Sequence, residues 1–246
     1  MNTPRPHLFG LLAGLFLAAG IAFASVTLAR AWTRIAESSV INVTGSARKN
    51  VRADLVVWRA VFSVDAPTLL EAQQKLRADH AKVAAFFSTH GIEGFAASPV
   101  QINEITARRK HDDDDAVTNV RVGYRLSQSL EVRSPDVERL PKLASDSSEL
   151  LQQDVAFVSG GFEFIYTKAG DAKIEMMAEA TKDARARAEQ IAQQGGGTIK
   201  ELRSARMGVV QINPLYSGAT SWEGNNDTSA LEKTITATVA ATFTLK

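Results

Sequence analysis

"LVVWRAVFSVDAPTLLEAQQKLRADHAKVAAFF", residues 55–87, changes its hydrophobic period partway along. Val56, Trp58, Ala60, Phe62 and Val64 recur at every second residue, which puts them on one face of a strand. Leu69, Ala72, Leu76, Val83 and Phe87 then recur at helical spacing. Asp65-Ala66-Pro67 starts that helix, with Pro67 suited to its first turn, and Gly91 stops it. An apolar strand face followed by an apolar helix stripe implies a sheet with a helix packed on it.

Upstream, alternation begins at Val40, so residues 40–64 read as two strands joined near Arg48-Lys49-Asn50. Downstream come a strand at about 98–109, a charged run, and a long strand. On that strand Val120, Val122, Tyr124, Leu126, Gln128, Leu130 and Val132 occupy one face. Arg121, Arg125, Ser127, Ser129, Glu131 and Arg133 occupy the other. Ser134-Pro135-Asp136 opens a second helix reaching about Gln152 and irregular around Pro141. A strand in "VAFVSGGFEFIYT" (155–167) and a long helix from Asp171 to Gln194 follow, closed by Gly195-Gly196-Gly197. Then come a strand at about 198–212 and a polar loop at 213–230. In the last strand Ile235, Ala237, Val239, Ala241, Phe243 and Leu245 alternate with mostly polar residues.

Residues 52–133 and 155–245 therefore share one order: strand, helix, strand, loop, strand. The expected fold is α+β, with long antiparallel strands packed against helices. It consists of two strand-helix-strand-strand units preceded by an N-terminal hydrophobic helix. The charged run and the 213–230 loop become equivalent hairpin connections.

The N-terminus carries "LFGLLAGLFLAAGIAFASVTLA", Leu8 to Ala29, without a charge. At 1.5 Å per residue this run reaches about 33 Å, enough to cross a hydrocarbon core. Its length favours an uncleaved anchor, while Ala22-Phe23-Ala24 fits a cleavage site before Ser25. The expected organisation is an anchor or signal at 1–30, a linker at 31–38 and a folded domain at 39–246. Arg30 and Arg34 follow the span, so flanking charge does not fix its orientation.

The 246 residues carry 28 basic against 27 acidic side chains, a formal net charge of +1. That balance provides no basic surplus for a phosphate backbone and argues against nucleic-acid binding. Cysteine is absent, which removes disulfides, thiolate metal sites and a cysteine nucleophile.

"KHDDDDA", residues 110–116, resembles a metal site at first sight. Adjacent carboxylates on an extended chain point to alternate sides, so Asp112, Asp113, Asp114 and Asp115 do not converge on one ion. Counting from Asp112, Ala116 and Val117 fall where a calcium loop requires an oxygen ligand and glycine. The run reads as a solvated hairpin tip that discourages edge pairing.

His7, His80, His90 and His111 show no H-x-x-x-H spacing, and His80 reads as a boundary residue on the first helix. Neither Ser159 nor Ser217 lies in G-x-S-x-G, and Gly45-Ser46 lacks a phosphate-loop ending. No catalytic, cofactor-binding or metal-ligating residues are assigned, and no cofactor is expected. "KDARARAEQ" (182–190) is a charge-balanced surface. Ala178, Ala184, Ala188 and Ala192 would let that helix pack closely on a sheet or on a copy of itself. Tyr216 and Trp222, in the 213–230 loop, are expected to tuck back onto the domain; their alternative role is contact with a partner.

Four stretches together resemble the bacterial SIMPL-domain family. They are Val43-Thr44-Gly45-Ser46-Ala47 leading to Ala53-Asp54 and Trp58; Gly123-Tyr124 opening "GYRLSQSLEV"; "AEATKDARARAEQIAQQGGG" from Ala178; and the closing "ITATVAATFTL". The resemblance covers about residues 39–246. It implies an α+β domain in the periplasm or envelope, ring-like or channel-like oligomers in some members, and links to oxidative-stress tolerance in several. The family has no established catalytic residues. This chain departs in an apolar run long enough to remain as an anchor and in the long 213–230 loop.

The resulting expectation is a non-enzymatic protein of the bacterial inner membrane, held single-pass through residues 8–29 with a periplasmic domain. It would be a homo-oligomer contributing to envelope or oxidative-stress homeostasis. Cleavage near Ala24 would instead leave it soluble in the periplasm. The alternative function is a binding module whose two hairpin loops grip an envelope protein or small ligand.

Overall fold

The computed structural model describes residues 6–36, 39–92, 94–111 and 114–246. α1 (Pro6–Ala36) comes first, and its side chains from Gly10 to Trp32 are all exposed. β1 (Val40–Arg52), β2 (Leu55–Ala66), α2 (Leu69–Thr89), β3 (Ala96–Ala97), β4 (Gln101–His111) and β5 (Asp114–Ser134) follow. The short helices α3 (Arg139–Asp146) and α4 (Glu149–Gln152) lead to β6 (Ala156–Ile165) and α5 (Ala169–Gln194). β7 (Ile199–Met207), β8 (Gln211–Pro214) and β9 (Glu232–Leu245) complete the chain. The architecture is α+β with two antiparallel sheets. One has the order β1-β9-β7 with β8 also on β9; the other has β3-β5-β2-β6 with β4 also on β5.

Two compact units emerge: residues 1–47, 177–208 and 237–246, and residues 48–176 with 209–236. In the second, Val56, Trp58, Phe62, Leu126, Leu130 and Val132 are buried on the inner sheet face. Leu76, Val83, Phe86 and Phe87 from α2 pack against them. Thr68 caps α2 by accepting the Glu71 amide at 3.3 Å, so Pro67 lies just before the cap and not in the first turn. His80 is half-buried between the rings of Phe62 and Phe95, as a boundary residue should be. On the outer face Arg59 reaches Glu131 on β5 and Glu163 on β6, a solvated row of charge across three strands.

In the first unit, Ala184, Ala188 and Ala192 of α5 are buried, and Val43, Ala184, Ala188, Ala241 and Phe243 form a core cluster. The alanine stripe thus packs on the chain's own sheet. Ala178 is exposed, and Ala180 takes the buried place one turn before Ala184. Gly45 sits where β1 meets this helix: a Cβ there would overlap the Ala180 carbonyl oxygen and the Ala184 amide. Both obstacles are backbone, so helix and strand would have to part. Gly45→Ala is expected to cost about 3 kcal/mol and to lower Tm by about 6–12 °C. A melt unchanged within about 2 °C would contradict this contact.

Several boundaries differ from the sequence reading. β1 runs through Arg48-Lys49-Asn50, and the break falls at Ala53-Asp54, where the chain changes sheets. Asp54 fixes that corner by accepting the Thr167 amide and hydroxyl at 2.7 and 2.8 Å. Residues 134–152 hold two short helices, α3 and α4. The strand expected at 198–212 is interrupted at 208–210 to give β7 and β8. The repeated element order is real, yet β6 pairs with β2 while β9 takes β1 as its neighbour. Gly196, at φ 77°, ends α5 as expected of a C-cap glycine.

The face assignment on β5 also needs correction. Ile105 pairs with Gly123 and Thr106 with Arg121, so Val122 is an extra residue in the ladder. Such a bulge breaks period-two alternation. Arg121 accordingly lies 5.1 Å over the Tyr124 ring and 3.2 Å from Glu104, on the face assigned to Tyr124. Val120 and Val122 are exposed at 39% and 50%, outside the core that Leu126, Leu130 and Val132 enter.

Candidate functional site: a rigid aromatic loop and a two-stranded arm

β8 and β9 are joined by residues 215–231, and buried amides organise the start of this loop. The Gln211 side chain donates to the Ser221 carbonyl at 2.6 Å and accepts the Ser221 and Asn225 amides at 3.2 and 2.9 Å. Asn213 donates to the Ala219 carbonyl at 2.6 Å and accepts from the Asn225 side chain at 2.9 Å. Each amide meets a main-chain group that would otherwise be unpaired, so the loop holds one shape. Residues 225–227 run along β8: the Ile212 amide donates to Asn225 at 2.8 Å and the Asp227 amide to Ile212 at 3.0 Å.

The second half of the loop closes on an ion pair between a buried lysine and a half-buried aspartate. Lys233 is 1% exposed and donates to the Asp227 carboxylate at 2.8 Å and to its carbonyl at 2.6 Å. Asp227 also accepts the Ser229 hydroxyl at 2.7 Å and the Ala230 amide at 3.0 Å. Burial pushes the Asp227 carboxyl up, but Lys233, Ser229 and the two loop amides more than offset this and hold it at about 2.

On this frame Tyr216 and Trp222 point outward, 93% and 84% exposed. The expectation that they tuck back is therefore wrong. The buried side chains that hold the loop are polar: Gln211, Asn213 and Lys233. Tyr216 also adopts φ 65°, a left-handed conformation uncommon outside glycine and costly by about 1–3 kcal/mol. Large aromatics on a rigid loop contribute contact area with little ordering cost. Gln211, Asn213, Asn225 and Lys233 escaped the sequence reading; the only local hint is the polar alternation of Gln211 and Asn213 around Ile212.

The equivalent connection lies between β4 and β5. His111 pairs with Asp114; Asp112 and Asp113, where the sequence places the hairpin tip, lie outside the described residues. The metal-site question for the aspartate run therefore also lies outside them, and no acidic or histidine cluster able to hold a metal occurs among the described residues. Below the tip, β2 supports β5 only from Tyr124 to Ser134. Among the described residues β5 from Gly123 outward pairs with β4 alone, a ribbon spanning roughly 30 Å from Asp114 to Gly123. An isolated two-stranded ribbon is marginally stable in water. Val120 and Val122 leave apolar surface along this arm, and Ile102, at 58% exposed, adds to it near the arm's base.

An exposed apolar helix, an α+β domain with two antiparallel sheets, and two projecting connections describe an α+β protein with a candidate membrane anchor or signal. A family model matches residues 41–243, nearly all of the chain beyond α1. The protein belongs to the SIMPL family, described as proteins of unknown function (DUF541). No curated protein matches the chain significantly.

Proposed function

We propose that the chain is a non-enzymatic, self-associating module held at the bacterial inner membrane by α1, with its domain in the periplasm. The observation that carries this reading is the β4–β5 arm, a two-stranded ribbon with exposed Val120 and Val122 and, among the described residues, no third strand. Packing against another copy would bury those side chains, at about 25 cal/mol per Å² of apolar surface removed from water. The exposed side chains of α1 support membrane attachment, whether α1 stays as an anchor or acts as a signal. A contribution to envelope or oxidative-stress homeostasis follows from the family resemblance.

In-cell crosslinking of the full chain, followed by mass identification, should return products made only of this protein. Val122→Glu introduces a charge on the exposed arm and should reduce those products at least tenfold while leaving the melt unchanged. Crosslinks solely to one foreign protein would overturn self-association.

The rigid display of Tyr216 and Trp222 favours a second reading, in which the loop grips an envelope protein. Removing 213–225 is too blunt a test, because it takes away buried Asn213 and the Asn225 amide network. Tyr216→Ser with Trp222→Ser should abolish capture of a foreign partner and leave stability within about 0.5 kcal/mol. Unaltered capture would sink this reading.

A further inference from the structure

Among the described residues β1 ends its sheet, with β9 as its one neighbour. The Leu245 amide donates to the Ser39 carbonyl, and the Thr242 hydroxyl donates to Asn42 at 2.6 Å, which sets the pairing frame. In an antiparallel ladder successive residues turn their main-chain groups to opposite sides. Ile41, Val43 and Gly45 therefore face β9, while Val40, Asn42, Thr44 and Ser46 face away. The Ser46 amide bears this out by donating outward to the Asp183 carboxylate of α5 at 2.8 Å. Asp183 thus caps the edge at one end.

From Val40 to Thr44 no strand lies on that side among the described residues. A groove of about 690 Å³ opens there between Asn42–Thr44 and the Arg187, Gln190 and Ile191 positions of α5. Ile191, 53% exposed, offers it apolar surface. "VINVTGSA", residues 40–47, contains no charge and no proline, the usual devices that protect an edge.

We propose that this edge pairs antiparallel with the same edge of a second copy, with Asn42 opposite Asn42 and Val40 opposite Thr44. The contact deepens, and rests on, the self-association reading, but it is a surface distinct from the arm. A two-fold pairing is self-complementary, and the uncharged segment meets its copy without like-charge repulsion. The anchor favours a second copy over a soluble peptide. Only residues 37–39 separate α1 from β1, at most about 14 Å of chain. Copies held in one membrane therefore present this edge near the same plane and at raised effective concentration.

The cysteine-free chain gives a clean test. In full-length protein in native membranes, Asn42→Cys should form a disulfide-linked dimer on mild oxidation, because directly opposed residues lie about 5.5 Å apart at Cα. Glu201→Cys, on the other edge strand of this sheet, should not. Thr44→Pro, which removes one outward donor, should weaken association about tenfold. Equal crosslinking at both cysteine positions overturns the proposal. So does an oligomer that persists while Asn42→Cys stays unlinked and Thr44→Pro has no effect; self-association itself then stands. A wild-type chain that is monomeric throughout removes both.

Discussion

Trp58→Ala is expected to lower the domain's stability by about 4 kcal/mol and its Tm by roughly 8–16 °C. Trp58 is 1% exposed at the centre of β2 and donates its indole N–H to the Ser159 hydroxyl at 3.0 Å. Phe87 and Phe157 meet it edge-on with centroids at 5.8 and 6.0 Å, and Phe162 stacks at 6.2 Å. These partners come from α2 and β6, so truncation opens a cavity shared by helix and sheet. It also leaves Ser159 without that donor. The surrounding backbone is held by paired strands and cannot close the gap, which places the cost near the upper range for large-to-small changes. A thermal melt followed by circular dichroism measures it. A loss below about 1 kcal/mol would mean that the core is not centred on this side chain.

Lys233→Ala should cost about 3 kcal/mol, because it removes a fully buried ammonium and leaves a half-buried carboxylate without its cation. Asp227 would lose its ammonium partner while its oxygens stay enclosed by the Ser229 and Ala230 amides. The same pair predicts a pH dependence. The folded carboxyl sits at about 2, well below the 3.8 of a free aspartate, so its contribution is complete above about pH 4. That contribution, about 2 kcal/mol, fades as pH falls toward and below 2. In Lys233→Ala this acid-dependent component should shrink, and proteolysis should cut the 215–231 loop far faster. Denaturant titrations of both proteins between pH 2 and 6 check the first point. Parallel acid profiles would contradict the assigned pairing.

What the sequence reveals about the fold follows from where apolar periodicity is enforced by burial. Val56 to Val64 and Leu69 to Phe87 are legible because each face enters one core, so a residue out of phase would be costly. The β1–β2 junction misleads because Arg48, Lys49 and Asn50 look like a turn. Lys49 in fact bridges to Glu175 from within a continuing strand, and Asn50 bonds Thr234 across to β9. The bulge at Val122 has no compositional mark, since one extra residue in a solvated ribbon violates no hydrophobic pattern.

The candidate site is legible only in outline. Tyr216 and Trp222 stand out as aromatics in a polar loop, but their exposure depends on Gln211, Asn213, Asn225 and Lys233. Those residues act through contacts made only once β8 and β9 pair. Likewise the free edge at Val40–Thr44 depends on sheet order, which no local stretch encodes.

Self-association at the membrane is tested most directly by the mass of the full-length chain in detergent, measured by light scattering over a hundredfold range of concentration. The expected protein mass is a multiple of 26.5 kDa and falls toward that value in Val122→Glu. A wild-type mass of 26.5 kDa at every concentration would contradict it.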